Sequence, residues 1–200
     1  DETRNAHSLH GYFLRPGDTT IPILYTVDRI RDGRSFTTRR VIAVQGGRAI
    51  FSMSASFQVH EAGLEHHFDA PDVPDPLDCP SELELREKYA ADIPEELKHI
   101  LGRPRPIEMR FVDPINEYKP TPMEPEQRVW VKTVDSMPDD IRLNQCLLAY
   151  ASDMTLLDTS YRAHGVSWGN PNFQVASLDH AMWFHKPFKT DDWLLYQQDS

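Results

Sequence analysis

The sequence predicts an α+β fold, and three features of its residue pattern lead to this prediction. Residues 7–58 are typical of antiparallel β-structure, because short runs of β-branched and aromatic residues are separated by turn sequences. Residues 127–200 combine further strands with one amphipathic helix. A sequence match between the two regions, at a constant offset, indicates an internal repeat.

The first region is predicted to form an antiparallel meander. Its strands cover residues 21–27, 35–44 and 49–58. The sequence Arg-Asp-Gly-Arg at 31–34 separates the first two strands and contains the Asp-Gly pair that hairpin turns favour. The sequence Gln-Gly-Gly-Arg at 45–48 separates the last two. Consecutive strands should therefore pair with each other.

Residues 60–126 differ in character and are predicted to be mostly a connector. Eleven of the sixteen prolines lie between positions 71 and 125, mixed with acidic residues, and proline removes backbone donors from regular ladders. One helical segment is predicted over residues 81–91, with Ser81 as its N-cap and a glutamate three residues later. A long connector without structure is unusual in a compact domain, so we expect it to lie across the folded halves.

The last region begins with a predicted strand over 128–134. A helix should follow, starting at the Pro-Asp-Asp sequence at 138–140, where carboxylates favour a helix N-terminus, and ending near Tyr161. Its apolar stripe recurs at steps of four and three residues: Leu143, Leu147, Tyr150, Met154 and Leu157. Two further strands are predicted over 173–184 and 193–197.

Composition excludes several classes of function. The chain has 21 basic and 31 acidic residues, a net charge of −10, and no basic stripe, so it is not predicted to bind nucleic acid. No stretch has the roughly 18 apolar residues of a membrane span, and the mean hydropathy is −0.54. No signal-peptide, P-loop, dinucleotide-binding or Cys-x-x-Cys pattern is found. The two cysteines, Cys79 and Cys146, predict reduced thiols inside a cell.

Two motif-like segments are given non-catalytic interpretations. Gly-Val-Ser-Trp-Gly at 165–169 matches a nucleophile elbow, which needs a strand before the serine and a helix after it. Here a predicted helix precedes and Asn-Pro-Asn follows, so we interpret the segment as a loop. His60, His66 and His67 form a cluster with nearby glutamates, but prolines follow at once and no helix covers them. We interpret this cluster as solvent-exposed residues and not as a metal site.

Asp153 is the most informative single residue, because it lies beside the apolar stripe of the predicted helix. From the residues alone, two interpretations remain open: a solvated helix edge, or a functional carboxylate that meets a second polar group. Ser177, in the next predicted strand, is the candidate partner. Asp179 shares a strand face with Ser177, whereas His180 lies on the other face, so Asp179 and His180 cannot jointly address one substrate atom.

The internal repeat consists of two matches in register. The pattern aromatic-Phe-x-basic-Pro occurs at 12–16 and again at 183–187, and a tyrosine follows nine residues after each proline, as Tyr25 and Tyr196. Pro187 and Tyr196 each lie 171 residues after their counterparts. At this offset, the predicted helix has its counterpart before residue 1, and two strands have theirs at about 206–229. We therefore expect a longer, two-repeat polypeptide that this chain represents without its two ends.

Four stretches carry a resemblance to a known family. They are HSLHGYFLRPGD at 7–18, ASFQ at 55–58, YASD at 150–153 and SLDHAMWFH at 177–185. With these stretches in order, the chain resembles the acyl-CoA thioesterase II family, whose members have a double hotdog fold. The resemblance implies curved antiparallel sheets that each wrap a long helix. It also implies that the first-repeat helix and the last two strands of the second repeat lie outside this chain.

The resemblance implies three parts in the chain. Residues 1–59 would be the first hotdog repeat, represented by strands only. Residues 60–126 would be the proline-rich acidic connector. Residues 127–200 would be the second hotdog repeat without its last strands.

The resemblance also implies an activity, the hydrolysis of acyl-CoA thioesters to fatty acid and coenzyme A. The family's catalytic set is an aspartate on the second-repeat helix, a serine or threonine, and a glutamine. The first two correspond to Asp153 and Ser177. The glutamine belongs to the last strand of the second repeat, whose first-repeat counterpart is Gln58, so no catalytic role is carried over to Gln58. No metal or redox cofactor is implied, and the acyl chain would lie in an apolar channel between helix and sheet.

Three functions are weighed on this basis. The first is acyl-CoA hydrolysis by a carboxylate-oriented water. The second is a hotdog enoyl-thioester hydratase, which needs a His/acid pair facing one substrate carbon, whereas Asp153 has no histidine near it on the predicted helix. The third is a non-catalytic acyl-CoA-binding or assembly module. We expect acyl-CoA as substrate, no nucleic-acid or membrane partner, a homo-oligomer because of exposed sheet edges, and a cytoplasmic location, peroxisomal in a eukaryote.

Overall fold

The computed structural model describes residues 3–101, 105–167, 170 and 172–200, apart from the side chains at positions 96, 99 and 100. The chain forms two compact units. The first comprises Asp1–His67 and Ala176–Phe188, and the second comprises Phe68–Val175 and Lys189–Ser200. Each unit contains one antiparallel sheet, so the described residues form an α+β fold that is mostly sheet, as predicted.

The strands and helices are as follows. The strands are β1 (Arg4–Phe13), β2 (Leu24–Asp32), β3 (Phe36–Gln45), β4 (Arg48–Val59), β5 (Ile107–Phe111), β6 (Glu126–Thr133), β7 (Asp179–Trp183) and β8 (Leu194–Asp199). The helices are α1 (Glu82–Lys88), α2 (Glu95–Leu101), α3 (Ile141–Ala151) and α4 (Asp158–Arg162). None of these helices combines the length and apolar character that a bilayer crossing requires.

The first unit is a five-stranded sheet in the order β2-β3-β4-β1-β7. The predicted meander is confirmed, because β2, β3 and β4 pair antiparallel with their chain neighbours. The β3–β4 connection is a two-residue hairpin at Gly46 and Gly47, whose φ angles are 52° and 76°. Positive φ at both positions matches the twist of the flanking strands and is accessible to glycine without strain.

The two strands that the internal repeat relates also pair with each other. In the β1–β7 ladder, His10 lies opposite Ala181, which is its counterpart at the offset of 171. The loop between β1 and β2, residues 14–23, has the same length as the loop between β7 and β8, residues 184–193. The repeat in the sequence therefore corresponds to equivalent strands and equal loops.

The second unit is a three-stranded sheet in the order β5-β6-β8. Buried and partly buried residues alternate along β5 and β6, as expected for a sheet with one face on the core. The core consists of six buried apolar residues: Ile107, Met109, Phe111, Val129, Val131 and Ala151. One side of α3 and the inner face of β5 and β6 therefore form the hydrophobic centre of this unit.

The predicted connector is more ordered than expected. Ser81 caps α1 as predicted, and its hydroxyl accepts from the Glu84 amide while the Glu84 carboxylate accepts from the Ser81 amide. The same region also contains α2 and β5, a strand of the second sheet. The prediction missed β5 because this five-residue strand lies between prolines, which dominate the composition of the region.

The predicted long helix is interrupted. It begins as predicted, with Asp140 as N-cap, but α3 ends at Ala151, and α4 begins only at Asp158. The residues between include Ser152, whose hydroxyl donates to the carbonyl oxygen of Ala149 at 3.0 Å. Such local bonds compete with helical ones, so a Ser-Asp-x-Thr sequence ends a helix that apolar periodicity would continue.

The buried side of α3 also differs from the predicted stripe. Leu143 and Tyr150 are exposed, whereas Asn144 is almost fully buried. The Asn144 amide donates to the carbonyl oxygen of Asp140 at 2.9 Å and accepts from the amide and hydroxyl of Thr190, each at 2.8 Å. A buried polar residue is tolerated because its hydrogen bonds are satisfied, and apolar periodicity does not detect it.

Candidate active site

Asp153 lies in the turn that directly follows α3. Asp153 is exposed, while Ser152 before it and Thr155 after it are buried. The sequence placed Asp153 on the helix, and the structure corrects this, since the helix has already ended at Ala151. A carboxylate on an exposed turn between buried residues combines access to solvent with a fixed backbone.

The last strand, β8, anchors this turn on both sides of Asp153. The Tyr196 hydroxyl donates to the carbonyl oxygen of Ser152 at 2.9 Å. The Gln198 amide donates to the Thr155 hydroxyl at 2.7 Å. Burial raises the pKa of the Tyr196 phenol, and the negative charge of Asp153 adds to this effect. The phenol therefore stays a neutral hydrogen-bond donor at physiological pH.

A chain of buried polar groups extends this anchor across the sheet. The Gln198 carbonyl oxygen accepts from the Gln127 amide at 3.0 Å, and the Gln127 carbonyl oxygen accepts from the Arg162 guanidinium. Arg162 also donates to the carbonyl oxygen of Glu126 at 2.9 Å. Buried hydrogen bonds of this kind restrict the local conformation, although Arg162 Nε has no hydrogen-bond partner among the described residues. Sequence reasoning missed these residues, because isolated glutamines carry no recognisable spacing.

Ser177 lies in the first unit, two residues before β7, and is exposed. The predicted strand over 173–184 is shorter than expected, since β7 covers only Asp179–Trp183. Ladder bonding extends slightly further, because the Phe13 amide donates to the carbonyl oxygen of Leu178 at 2.9 Å. Asp153 and Ser177 thus belong to different compact units.

The segments that were given non-catalytic interpretations lie outside regular structure where they are described. Gly165 has a φ of 59° in a turn after α4; Trp168 and Gly169, the end of the elbow-like motif, lie outside the described residues. The three histidines at 60, 66 and 67 are exposed. Within the described part of the chain, no group of three or more His, Cys, Asp and Glu side chains is arranged to hold a metal ion. Both cysteines are free thiols.

A small apolar cavity lies between α3 and the second sheet. Six of its nine lining residues are apolar, and Lys132, Thr133 and Thr190 are the others; the apolar ones are Ile107, Val131, Leu147, Leu148, Ala151 and Leu194. Ala151 is two residues before Asp153, so the cavity lies close in sequence to the anchored turn. An apolar lining next to a polar turn is the general composition of a site for a ligand with an apolar tail.

A second, more polar cavity lies at α4. Asp158, Tyr161, Arg162 and Glu117 contribute its polar lining. The pKa of Asp158 is raised to about 7, mainly by burial and also by the nearby charge of Glu117, while Arg162 opposes the shift. Among the described residues, the Tyr161 hydroxyl has no hydrogen-bond partner. The sequence did not indicate this cavity, because its lining residues come from distant segments.

Comparisons with protein families cover most of the chain. A model described as acyl-CoA thioesterase matches residues 101–200, and one described as acyl-CoA thioesterase N-terminal domain matches residues 2–58. The first region contains two of the stretches that carried the resemblance, at 7–18 and 55–58, and the second contains the other two, at 150–153 and 177–185. The second region also includes the last part of the proline-rich segment, residues 101–126.

Individual proteins agree with the family models. The chain is 39% identical over 199 residues to acyl-CoA thioesterase 2 of Haemophilus influenzae, covering 100% of this chain and 70% of that protein. It matches the crystal structure of the acyl-CoA thioesterase II TesB2 from Mycobacterium marinum with a TM-score of 0.78 at 41% identity, covering 100% of this chain and 70% of that chain. Across two curated relatives, it spans 64% to 70% of their length.

A more distant structure shows the fold alone. A protein with a hot dog fold from Alicyclobacillus acidocaldarius matches with a TM-score of 0.65 at 16% identity, covering 95% of this chain and 64% of that chain. Together with the sheet-rich architecture and the matches above, it identifies the fold as hotdog-like. The chain belongs to the acyl-CoA thioesterase II family.

Proposed function

We propose that Asp153 and Ser177 orient the water that attacks the substrate in this acyl-CoA thioesterase. Family membership assigns the overall reaction, in which an acyl-CoA thioester is hydrolysed to a free fatty acid and coenzyme A. The observation that carries the residue assignment is the anchored turn. Tyr196 bonds to the Ser152 carbonyl oxygen and Gln198 bonds to the Thr155 hydroxyl, one on each side of Asp153, which is itself exposed.

The chemistry needs a general base and oxyanion donors but no strong nucleophile, because a thioester has little resonance stabilisation and a good leaving group. The water oxygen forms a bond to the acyl carbon while its proton passes to the Asp153 carboxylate. The carbonyl electron pair moves onto oxygen, where hydrogen-bond donors stabilise the developing charge. Collapse of this intermediate breaks the carbon–sulfur bond, and the departing thiolate takes up the proton as the coenzyme A thiol.

Ser177 would hold the water by its hydroxyl, since one hydroxyl both donates and accepts. The family resemblance adds a glutamine as a third member. At the offset of 171, the counterpart of Gln58 stands at position 229, beyond residue 200. We propose that position as the site of the third group, and the role of Gln58 is then structural, in the β4 ladder opposite Asn5 and Phe36.

The double hotdog organisation is part of the proposal. Its support is the equivalence of β1 with β7 and of β2 with β8 at one offset, with equal loops between them. The proposed parts are a first repeat over 1–59, a connector over 60–126 and a second repeat over 127–200. Since β7 pairs with β1, the two repeats would share a sheet.

The acyl chain is proposed to lie in the apolar cavity between α3 and the second sheet. The lining at Leu147, Leu148 and Ala151 leads along α3 towards the turn with Asp153. An acyl tail in this cavity would bring its thioester to the anchored turn. Replacement of Leu148 by Trp should therefore lower the activity on longer acyl chains more than on acetyl-CoA.

The residue assignment is tested by thiol release from acyl-CoA, followed with a chromogenic disulfide reagent. Asp153→Asn should lower kcat by about a hundredfold or more, because it removes the base. Ser177→Ala should lower kcat by about tenfold or more, because it removes one water contact. Asp139→Asn, at a side chain that is 90% exposed, is the matched carboxylate control. Unchanged kcat in Asp153→Asn would contradict the mechanism.

The hydratase alternative predicts a different optical signal, the loss of enoyl absorbance without thiol release. The relatives bear thioesterase names and therefore favour hydrolysis over hydration. The binding-module alternative predicts substrate binding without turnover in both assays. The family membership favours an enzyme.

Location and assembly complete the proposal. We propose that the protein acts in the cytoplasm, with peroxisomes as the eukaryotic alternative, and that it forms a homo-oligomer. The support for assembly is the strand edges, since β2 and β5 each end a sheet on one side. Light scattering at several protein concentrations measures the oligomeric state directly, and a monomer at all concentrations would contradict this part.

A further inference from the structure

The seam between β1 and β7 has a local two-fold symmetry. His10 lies opposite Ala181, its own counterpart in the repeat. On either side of this pair, the Phe13 amide donates to the carbonyl oxygen of Leu178 and the Phe184 amide donates to that of His7, both at 2.9 Å. At the offset of 171, His7 corresponds to Leu178 and Phe13 corresponds to Phe184, so the repeat relates each of these two bonds to the other. The backbone at the two ends of the seam is therefore equivalent.

The side chains at the two ends are not equivalent. One end has Ser177, Asp179 and His10, which are a hydroxyl, a carboxylate and an imidazole. Their counterparts in the repeat, in the same order, are Ala6, Ser8 and Ala181. The polar set thus occurs at one end of a symmetric backbone, and this end carries the serine assigned above to the reaction.

A direct contact connects this polar set across the seam. His10 Nε2 lies 2.8 Å from Asp179 Oδ2. Because Asp179 is the diagonal neighbour of His10, two residues from its directly paired Ala181, the bond crosses from one strand to the other. The Tyr12 ring packs on the imidazole with 4.5 Å between ring centroids. His10 is therefore held between an aromatic ring and a carboxylate.

The counterpart contact cannot form at the other end. Ala181 has no polar side-chain atom, and Ser8 lacks a carboxylate. The His10–Asp179 pair is also only half-buried, with side-chain exposures of 42% and 50%. A side-chain contact as exposed as this contributes little to stability. Its presence at one end only is thus better explained by function than by fold stability.

We propose that His10 and Asp179 are positioning residues for Ser177. The His10–Asp179 contact holds Asp179, the first residue of β7, against β1. The bond from the Phe13 amide to the Leu178 carbonyl oxygen holds the residue directly before β7. Ser177 follows directly, and in an extended chain it lies on the same face as Asp179. The inference rests on the proposed role of Ser177, because the pair acts through that hydroxyl.

The test measures kcat, KM and melting temperature in the intact enzyme for His10→Ala and Asp179→Asn. Both variants should lower kcat by about tenfold, with KM within about twofold, because a displaced catalytic group affects turnover more than binding. The double variant should lose no more than either single variant, since both break one contact. His10→Gln, which keeps a donor, should recover part of kcat.

Arg40→Ala is the matched control. It breaks the Arg40–Asp28 ion pair, which joins β3 to β2 at 2.9 Å and has similar side-chain exposures of 49% and 43%. It should leave kcat unchanged. If His10→Ala and Asp179→Asn behave like this control while Ser177→Ala is impaired, the positioning role is wrong and the proposed function stands. If Ser177→Ala keeps full activity, the proposed function itself is wrong. If His10→Ala or Asp179→Asn has a lowered melting temperature, the kcat of His10→Gln is compared with that of the control instead.

Discussion

The Tyr196 hydroxyl donates a hydrogen bond to the carbonyl oxygen of Ser152 at 2.9 Å, and this bond connects the last described strand to the turn that carries Asp153. The two residues are 44 positions apart in the chain. A neutral phenol in this position orients the backbone next to the carboxylate without neutralising its charge. The candidate base is therefore held by a contact that involves none of its own atoms.

The first prediction concerns this contact. Tyr196→Phe removes the hydroxyl that donates to the buried carbonyl oxygen of Ser152. Because this oxygen then lacks that hydrogen bond, the free energy of unfolding should fall by about 1 kcal/mol. The turn should also loosen, lowering kcat severalfold with KM little changed. Urea denaturation and steady-state kinetics measure the two effects. Tyr150→Phe is the control, because Tyr150 is 52% exposed on α3; equal behaviour of both variants would contradict the anchoring role.

The second prediction concerns the pH dependence of stability at α4. The pKa of Asp158 is raised to about 7 in the folded protein, mainly by burial. Since the unfolded value is lower, this carboxyl favours the folded state fully below about pH 4, and the contribution is lost as the pH rises towards 7.

Asp158→Asn keeps the neutral form at every pH. At pH 8 it should be more stable than the unmodified protein by roughly 2 to 4 kcal/mol, and at pH 4 the two should be nearly equal. Urea denaturation at pH 4, 6 and 8 measures this difference. Asp139→Asn, at an exposed carboxylate, should show no such trend. A constant difference at all three pH values would refute the prediction.

The third prediction concerns the turn after α4. Gly165 has a φ of 59°, and an added Cβ would lie 2.6 Å from Pro122 Cδ and 2.8 Å from Pro122 N. Gly165→Ala should therefore cost backbone strain and a steric clash, on the order of 2 kcal/mol or more.

Gly46→Ala separates these two contributions. Gly46 has a φ of 52°, but an added Cβ there meets nothing within 4 Å. This variant should lose only about 1 kcal/mol, the cost of a left-handed conformation. Thermal or urea denaturation gives both values. If Gly165→Ala is no more destabilising than Gly46→Ala, the clash with Pro122 is not present in solution.

The fourth prediction concerns the capping box of α1. Ser81→Ala removes a side chain that accepts from the Glu84 amide, and the expected loss is about 1 kcal/mol. Glu84→Ala should give a comparable loss, because the two side chains act reciprocally. Ser54→Ala, at an exposed residue of β4, is the control and should be neutral. Equal stability of Ser81→Ala and Ser54→Ala would exclude a role for the cap.

Local features of the fold were predictable because their determinants are close in sequence. The Gly46-Gly47 hairpin, the Ser81 cap and the Asp140 cap each involve residues no more than four positions apart. Turn and capping geometry depends on the residues within one turn of chain, so their identity is sufficient. The positions of β3 and β4 agree with the predicted strands, whereas β2 lies further along the chain than the predicted 21–27 and β1 was not predicted as a separate strand.

The candidate site was only partly predictable. Asp153 and Ser177 were singled out from the sequence, but the helix that was expected to carry Asp153 ends two residues before it. Apolar periodicity continued across this end because Met154 and Leu157 keep the spacing, while Ser152 terminates the helix through its own hydrogen bond. Periodicity reports burial on average and does not register a competing local bond.

The sequence by itself determined the hairpins, the caps, the repeat at an offset of 171 residues and the family. Each of these depends on residue identity within a short window or on a match between two such windows. Only the tertiary structure decided that Tyr196 and Gln198 hold the turn at Asp153, and that His10 meets Asp179. Such contacts join residues from 43 to 169 positions apart. They exist because strand pairing and core burial bring distant backbones together, and no local pattern specifies which polar atoms then meet.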